Sequence, residues 1–280
     1  MQRDLRCRLS ETLWSALHDR ARATGESVSH IVQEALADTL AVDHHSLFQV
    51  STSGAVVKGV YQGCVSVGDL RRHGDFGVGT FDSLDGEMIM LDGHCYQARA
   101  DGTVTEVSDD ALTPFAVVTG FHEDRRFDLP SVGGWTDLCE VIDGRRVSEN
   151  VFVGIRAEGL IERITVRAAC RSAPGVDLVT ATATQAEFTL EDVVGTLVGF
   201  WTPSYAKAIT VPGYHLHFIS EDRRYGGHVL DIAASSLTLS VHQETDIHLA
   251  IPETAEFLAA DLGGAPGPAL DVAEHGRSGS

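Results

Sequence analysis

A chain of 280 residues, 43% of them hydrophobic, can bury one large core or two smaller ones and is expected to be globular. A formal net charge of -19 argues against extended non-specific contact with nucleic acid and leaves room only for a small local reader. No run approaches the roughly 18 apolar residues of a membrane span, and the N-terminus lacks a secretory apolar core, so a cytoplasmic protein without a membrane partner is expected.

Residues 3–9 alternate, with Leu5, Cys7 and Leu9 on one side and Asp4, Arg6 and Arg8 on the other, the period of a short strand. Ser10 suits the cap of a following helix, with Glu11 in its first turn; Leu13, Trp14, Leu17 and Ala21 fall at helical spacing, and Gly25 supplies a stop. A second helix fits Ser27 as cap and Val28, Ile31, Val32, Ala35, Leu36 and Leu40 as its apolar stripe. Strand, helix and helix over residues 1–40, with the turn at 25–29, resemble the ribbon-helix-helix module of small dimeric repressors. The resemblance implies a homodimer whose paired strands enter the major groove of DNA, with Asp4, Arg6 and Arg8 at the reading positions. Dimerisation alone is the alternative, because so short a module buries too little surface as a monomer.

Residues 41–46 read as a linker. From residue 47 to 280, short apolar runs alternate with glycine turns such as Leu91-Asp92-Gly93 and Ala100-Asp101-Gly102, the punctuation of a strand-rich domain. Residues 65–72 and 136–142 are the helical candidates. Residues 263–280, rich in glycine, proline and serine, read as a loose tail. Five scattered cysteines without a CxxC pair suggest neither a disulfide framework nor a thiolate metal site, and are expected reduced and mostly buried.

The run 214–219 reads as a strand, so His215 and His217 project from one face. His228 follows eleven residues after His217, past Gly226-Gly227, a spacing that suits a hairpin returning a third imidazole to the first two. Three neutral imidazoles leave coordination positions open, as in a catalytic zinc site. His44, His45, His242 and His248 have no comparable company and read as solvated or structural. Residues 74–87 carry glycines among carboxylates, but without the GxGxxG spacing, and 87–91 reads as a strand, so a phosphate loop is not expected.

The segment 74–87, the start at 49–52, residues 59–63, 197–205 and Gly213-Tyr214-His215-Leu216-His217-Phe218 with Gly226-Gly227-His228 together resemble the α-acetolactate decarboxylase family. The resemblance implies an α+β fold, with a mixed sheet plus a β-barrel-like half, and decarboxylation of acetolactate to acetoin. It implies Zn2+ held by His215, His217 and His228, with Glu87 and Thr80 in the substrate pocket. By spacing from Gly159-Leu160, the pocket arginine corresponds to Arg167, with Arg156, nearer that turn and expected to be structural, as the alternative. A tail glutamate corresponds best to Glu274. Zinc is then expected to stabilise an enediolate that a carboxyl protonates. The alternative is a metal-responsive ribbon-helix-helix regulator governed through the same histidines.

Overall fold

The computed structural model of the protein describes residues 6–24, 27–40, 45–183, 185–263 and 270. Two helices come first, α1 (Glu11–Thr24) and α2 (Val28–Leu40), packed on each other. Ser10 caps α1: its hydroxyl accepts the Leu13 N–H at 3.3 Å and its carbonyl the Trp14 N–H at 2.9 Å. The strand expected over residues 3–9 is not seen in the described part, where 6–10 have no regular structure. A ribbon strand takes its ladder bonds from a second chain, and a lone chain supplies none. Asp4, Gly25 and residues 41–44 lie outside the described residues.

The chain then becomes strand-rich: β1 (Ser46–Val50), α3 (Ser53–Val57), β2 (Val65–Ser66), α4 (Val67–Leu70), β3 (Phe76–Thr80), β4 (Glu87–Leu91), β5 (His94–Ala98), β6 (Val104–Glu106), β7 (Leu112–Thr113) and β8 (Ala116–Thr119). It continues through β9 (Arg125–Leu129), α5 (Trp135–Asp143), β10 (Phe152–Ala168), α6 (Leu178–Thr182), β11 (Ala186–Thr202), β12 (Gly213–Ser220), β13 (Gly226–Ala233), β14 (Ser236–Glu244), β15 (Asp246–Ala250) and α7 (Ala255–Ala259). The helix expected at 136–142 is α5, one residue longer at each end. The one expected at 65–72 shrinks to the single turn of α4, because Val65 and Ser66 are drawn into a ladder with β7.

The α+β architecture has two main sheets. The first is mixed, in the order β15-β1-β8-β3-β4-β5-β6, with β1 and β15 parallel. The second runs β11-β12-β13-β10-β14-β9 and is joined to itself by the β10–β11 pairing. Because the 17-residue β10 bonds β13 near its end and β11 along its length, strands β10 to β13 close into a barrel-like ring. Phe76, Val78, Ile89 and Leu91 from the first sheet share a core with Val198, Phe200 and Ile219 of the second. The five cysteines form no disulfide, and only Cys95 is buried; Cys7 is exposed and the others are half-buried, so the thiols are less enclosed than composition suggests. No helix among the described residues is long and apolar enough to cross a membrane.

Candidate metal centre and active site

Strand alternation builds the site. Along β12, Tyr214, Leu216 and Phe218 point into the core of the second sheet, which turns His215, His217 and Ile219 toward the first sheet. On β4, Met88 and Met90 face away, so Glu87 shares the inward face with Ile89 and Leu91. On β3, Thr80 lies on the side of Phe76 and Val78. Val166 packs in the second core, leaving its neighbour Arg167 on the opposite face of β10. Arg167 is the register partner of His228, and His228 that of His217, so three adjacent strands deliver side chains to one place.

Two glycines permit this crowding. A Cβ on Gly227 would stand 2.5 Å from the Arg167 carbonyl oxygen, and one on Gly199 would stand 2.0 Å from that of His215. Glycine lets β13 and β11 approach their neighbours where the three histidines and the cavity-lining residues enter.

His215, His217 and His228 are all buried, and one nitrogen from each lies within 4.8 Å of the others. Their ring centroids are 4.9 to 5.4 Å apart, with the planes splayed by 43° to 82°, as expected of rings arranged about a common point. The His217 Nδ1 donates to the Met88 carbonyl at 2.8 Å, which fixes the tautomer and turns Nε2 toward Glu87, 3.6 Å away. The other Glu87 oxygen accepts the Ala169 N–H at 3.1 Å. Thr80 donates its hydroxyl to the Gly86 carbonyl at 2.7 Å. Three imidazoles with open positions suit a divalent first-row cation, and the carbonyl bond to His217 is the kind of outer contact that orients a metal ligand.

These residues surround a cavity of about 60 Å³, bordered by Thr80, Glu87, Arg167, His215 and His228. Arg156 stands apart from it, paired with Asp92 and Glu158, each at 2.6 Å. Ala169 sits in the wall and contributes its N–H to Glu87, in the stretch where the sequence departs from the family pattern. The wall also contains Val56, Phe115, Leu178, Thr182 and Val211, which sequence reasoning missed; they come from dispersed segments with no motif to mark them. Glu274 lies outside the described residues. Leu270, only 2% exposed, lines the cavity, so at that residue the expectation of a loose tail is corrected: burial against apolar neighbours outweighs the polar composition around it.

Arg6 and Arg8 are exposed and are not among the residues that line this cavity. His248 is exposed, in line with a solvated histidine. For His45 and His242 the expectation of no metal-ligating company is corrected: they cluster with Asp124, because β1 and β14 bring them together from opposite ends of the domain.

The alpha-acetolactate decarboxylase family model matches residues 47–264. The chain is 43% identical over 218 residues to the alpha-acetolactate decarboxylase of Methanosarcina mazei, spanning 78% of this chain and 76% of that one. It is 40% identical over 217 residues to that of Bacillus subtilis, spanning 77% and 85%. The crystal structure of alpha-acetolactate decarboxylase from Bacillus subtilis strain 168 matches with a TM-score of 0.80 at 38% identity, covering 82% of this chain and 99% of that one. From residue 47 onward, sequence and architecture agree, and the chain belongs to the alpha-acetolactate decarboxylase family.

Proposed function

We propose that the protein decarboxylates 2-acetolactate to acetoin with the help of a zinc ion held by His215, His217 and His228. The observation that carries this reading is a cluster of three buried imidazoles, two of which border one cavity with a carboxylate and a buried guanidinium, in a chain of this family. When bound there, zinc supplies Lewis-acid stabilisation of the negative charge that develops as carbon dioxide leaves. Arg167 would grip the substrate carboxylate through paired hydrogen bonds and so orient the bond that breaks. Thr80, its proton committed to Gly86, offers an oxygen lone pair to the substrate. Glu87, held at one oxygen by Ala169, lines the cavity and would deliver a proton to one face of the enediolate. Delivery to one face yields a single enantiomer of acetoin. Glu274 is proposed as a second carboxylate; Leu270, four residues earlier, supports this by lining the cavity.

Acetoin release from acetolactate, followed before and after chelation and again after zinc is restored, tests the reading. Loss and recovery of activity are expected; undiminished turnover in fully metal-free protein would overturn it.

We further infer that residues 1–40 join two chains. Leu13, Trp14 and Leu40 are 60%, 52% and 68% exposed, an apolar surface that a second copy would cover. No finding supports the alternative of a metal-responsive regulator, nor DNA reading through Asp4, Arg6 and Arg8. Free thiols are consistent with a cytoplasmic location.

A further inference from the structure

We propose a second divalent-cation site, separate from the imidazole trio, formed by His45, Asp124 and His242 with Glu244 behind it. One ligand atom from each of the first three lies within 4.8 Å of the others. All three are anchored to the backbone of β14 or its edge. The His45 carbonyl accepts the N–H groups of Thr245 and Asp246 at 3.0 and 3.1 Å, and its Nδ1 donates to the Gln243 carbonyl at 2.6 Å. These bonds hold His45 at φ 55°, a left-handed conformation that a non-glycine residue adopts only when its surroundings enforce it. The Asp124 N–H donates to the Val241 carbonyl at 3.0 Å, and its Oδ2 accepts the Gln243 N–H at 2.7 Å.

The ligand atoms lie close enough to share an ion, with the His45 and His242 rings 4.8 Å apart and inclined by 19°. With Nδ1 engaged by a carbonyl, the His45 ring presents Nε2. The His242 Nδ1 lies 3.3 Å from Asp124 Oδ2, close to the ligand–ligand edge of about 3.4 Å in a tetrahedral zinc site. The other nitrogen of His242, Nε2, lies 3.5 Å from Glu244 Oε1, the carboxylate–histidine arrangement that orients a metal-bound imidazole. Glu244 is 1% exposed, and neither of its oxygens accepts a well-formed hydrogen bond among the described residues; the neighbouring Thr119 hydroxyl donates to the Ser46 carbonyl at 3.3 Å. A buried carboxylate, Glu244, and a half-buried one, Asp124, beside two imidazoles are better compensated by a divalent cation than by imidazole alone. Two nitrogens and a carboxylate oxygen suit Zn2+ or a first-row neighbour.

His45 precedes the segment matched by the family model, whereas Asp124 and His242 lie within it. The ion would therefore fasten the chain emerging from residues 1–40 to the catalytic domain. The inference does not rest on the proposed reaction.

The test is the zinc content of full-length protein after dialysis, measured by mass spectrometry beside acetoin formation. Two equivalents per chain are expected in the wild type, and one in His45→Ala and in the near-isosteric Asp124→Asn, both with activity within about twofold. His228→Ala should also hold one equivalent but form no acetoin, and zinc should still raise its melting temperature. An unchanged zinc count in folded Asp124→Asn overturns the proposal. A drop in that variant with no drop in His228→Ala would instead tell against the catalytic reading.

Discussion

Replacing Glu87 with glutamine separates what the side chain does for the fold from what it is proposed to do for the reaction. Its Oε1 accepts the Ala169 N–H at 3.1 Å, and its Oε2 lies 3.6 Å from His217 Nε2. Glutamine has the same length and keeps an acceptor for Ala169, so the structural loss is the difference between a charge-assisted and a neutral hydrogen bond, about 1 kcal/mol. In a chain of this size that shifts the melting temperature by about 2–4 °C. An amide, however, cannot act as the proton donor, and loss of a positioned acid typically costs 10² to 10⁴ in rate, or about 3–5 kcal/mol of barrier. Saturation kinetics of acetoin formation, with melting and zinc content measured on the same preparation, should therefore show kcat down at least about a hundredfold in a folded, metal-loaded protein. A kcat within threefold of wild type would refute the assignment of Glu87 as acid.

Gly199→Ala places a Cβ 2.0 Å from the His215 carbonyl and 2.9 Å from the Leu216 Cα, so β12 must shift. Denaturant unfolding should show about 2–4 kcal/mol of lost stability together with reduced activity, and an unmoved midpoint would contradict the packing argument. Asp143 is held below the usual carboxylate range: burial pushes it up, but hydrogen bonds from Arg146 and Tyr214 outweigh burial. Its contribution is complete above the ordinary value of 3.8 and disappears as pH falls through its lower folded value. The melting gap between wild type and Asp143→Asn should thus be widest near neutrality and close below about pH 4; a gap that widens in acid would show the sign to be wrong. Deleting residues 1–40 should convert a dimer to a monomer while acetoin formation persists, and an unchanged solution mass would remove the dimerisation reading.

What was legible in the sequence was local. The short apolar run 88–91 behind Glu87 reads as a strand, and β4 spans those residues with Glu87 at its start as expected. The His215-Leu216-His217 spacing, with glycines before His228, fixes a strand and its hairpin return, and the register then sets His217 opposite His228. The two N-terminal helices follow from apolar spacing and a serine cap. What escaped was whatever depends on distant segments meeting. His45, Asp124 and His242 lie far apart in sequence and share no motif, yet the parallel β1–β15 pairing and the turn out of β14 bring them together. Leu270 sits in a stretch whose composition reads as tail, although it is buried as part of the apolar core between the sheets.

His217 stands on one sheet while its ring is moored to the backbone of the other through Met88. Sliding of the two layers by even an ångström would either break that tether or swing the imidazole out of line. The spacing of the trio thus depends on how the layers sit together. Gentle warming that loosens this seam should weaken metal retention before the strands themselves come apart.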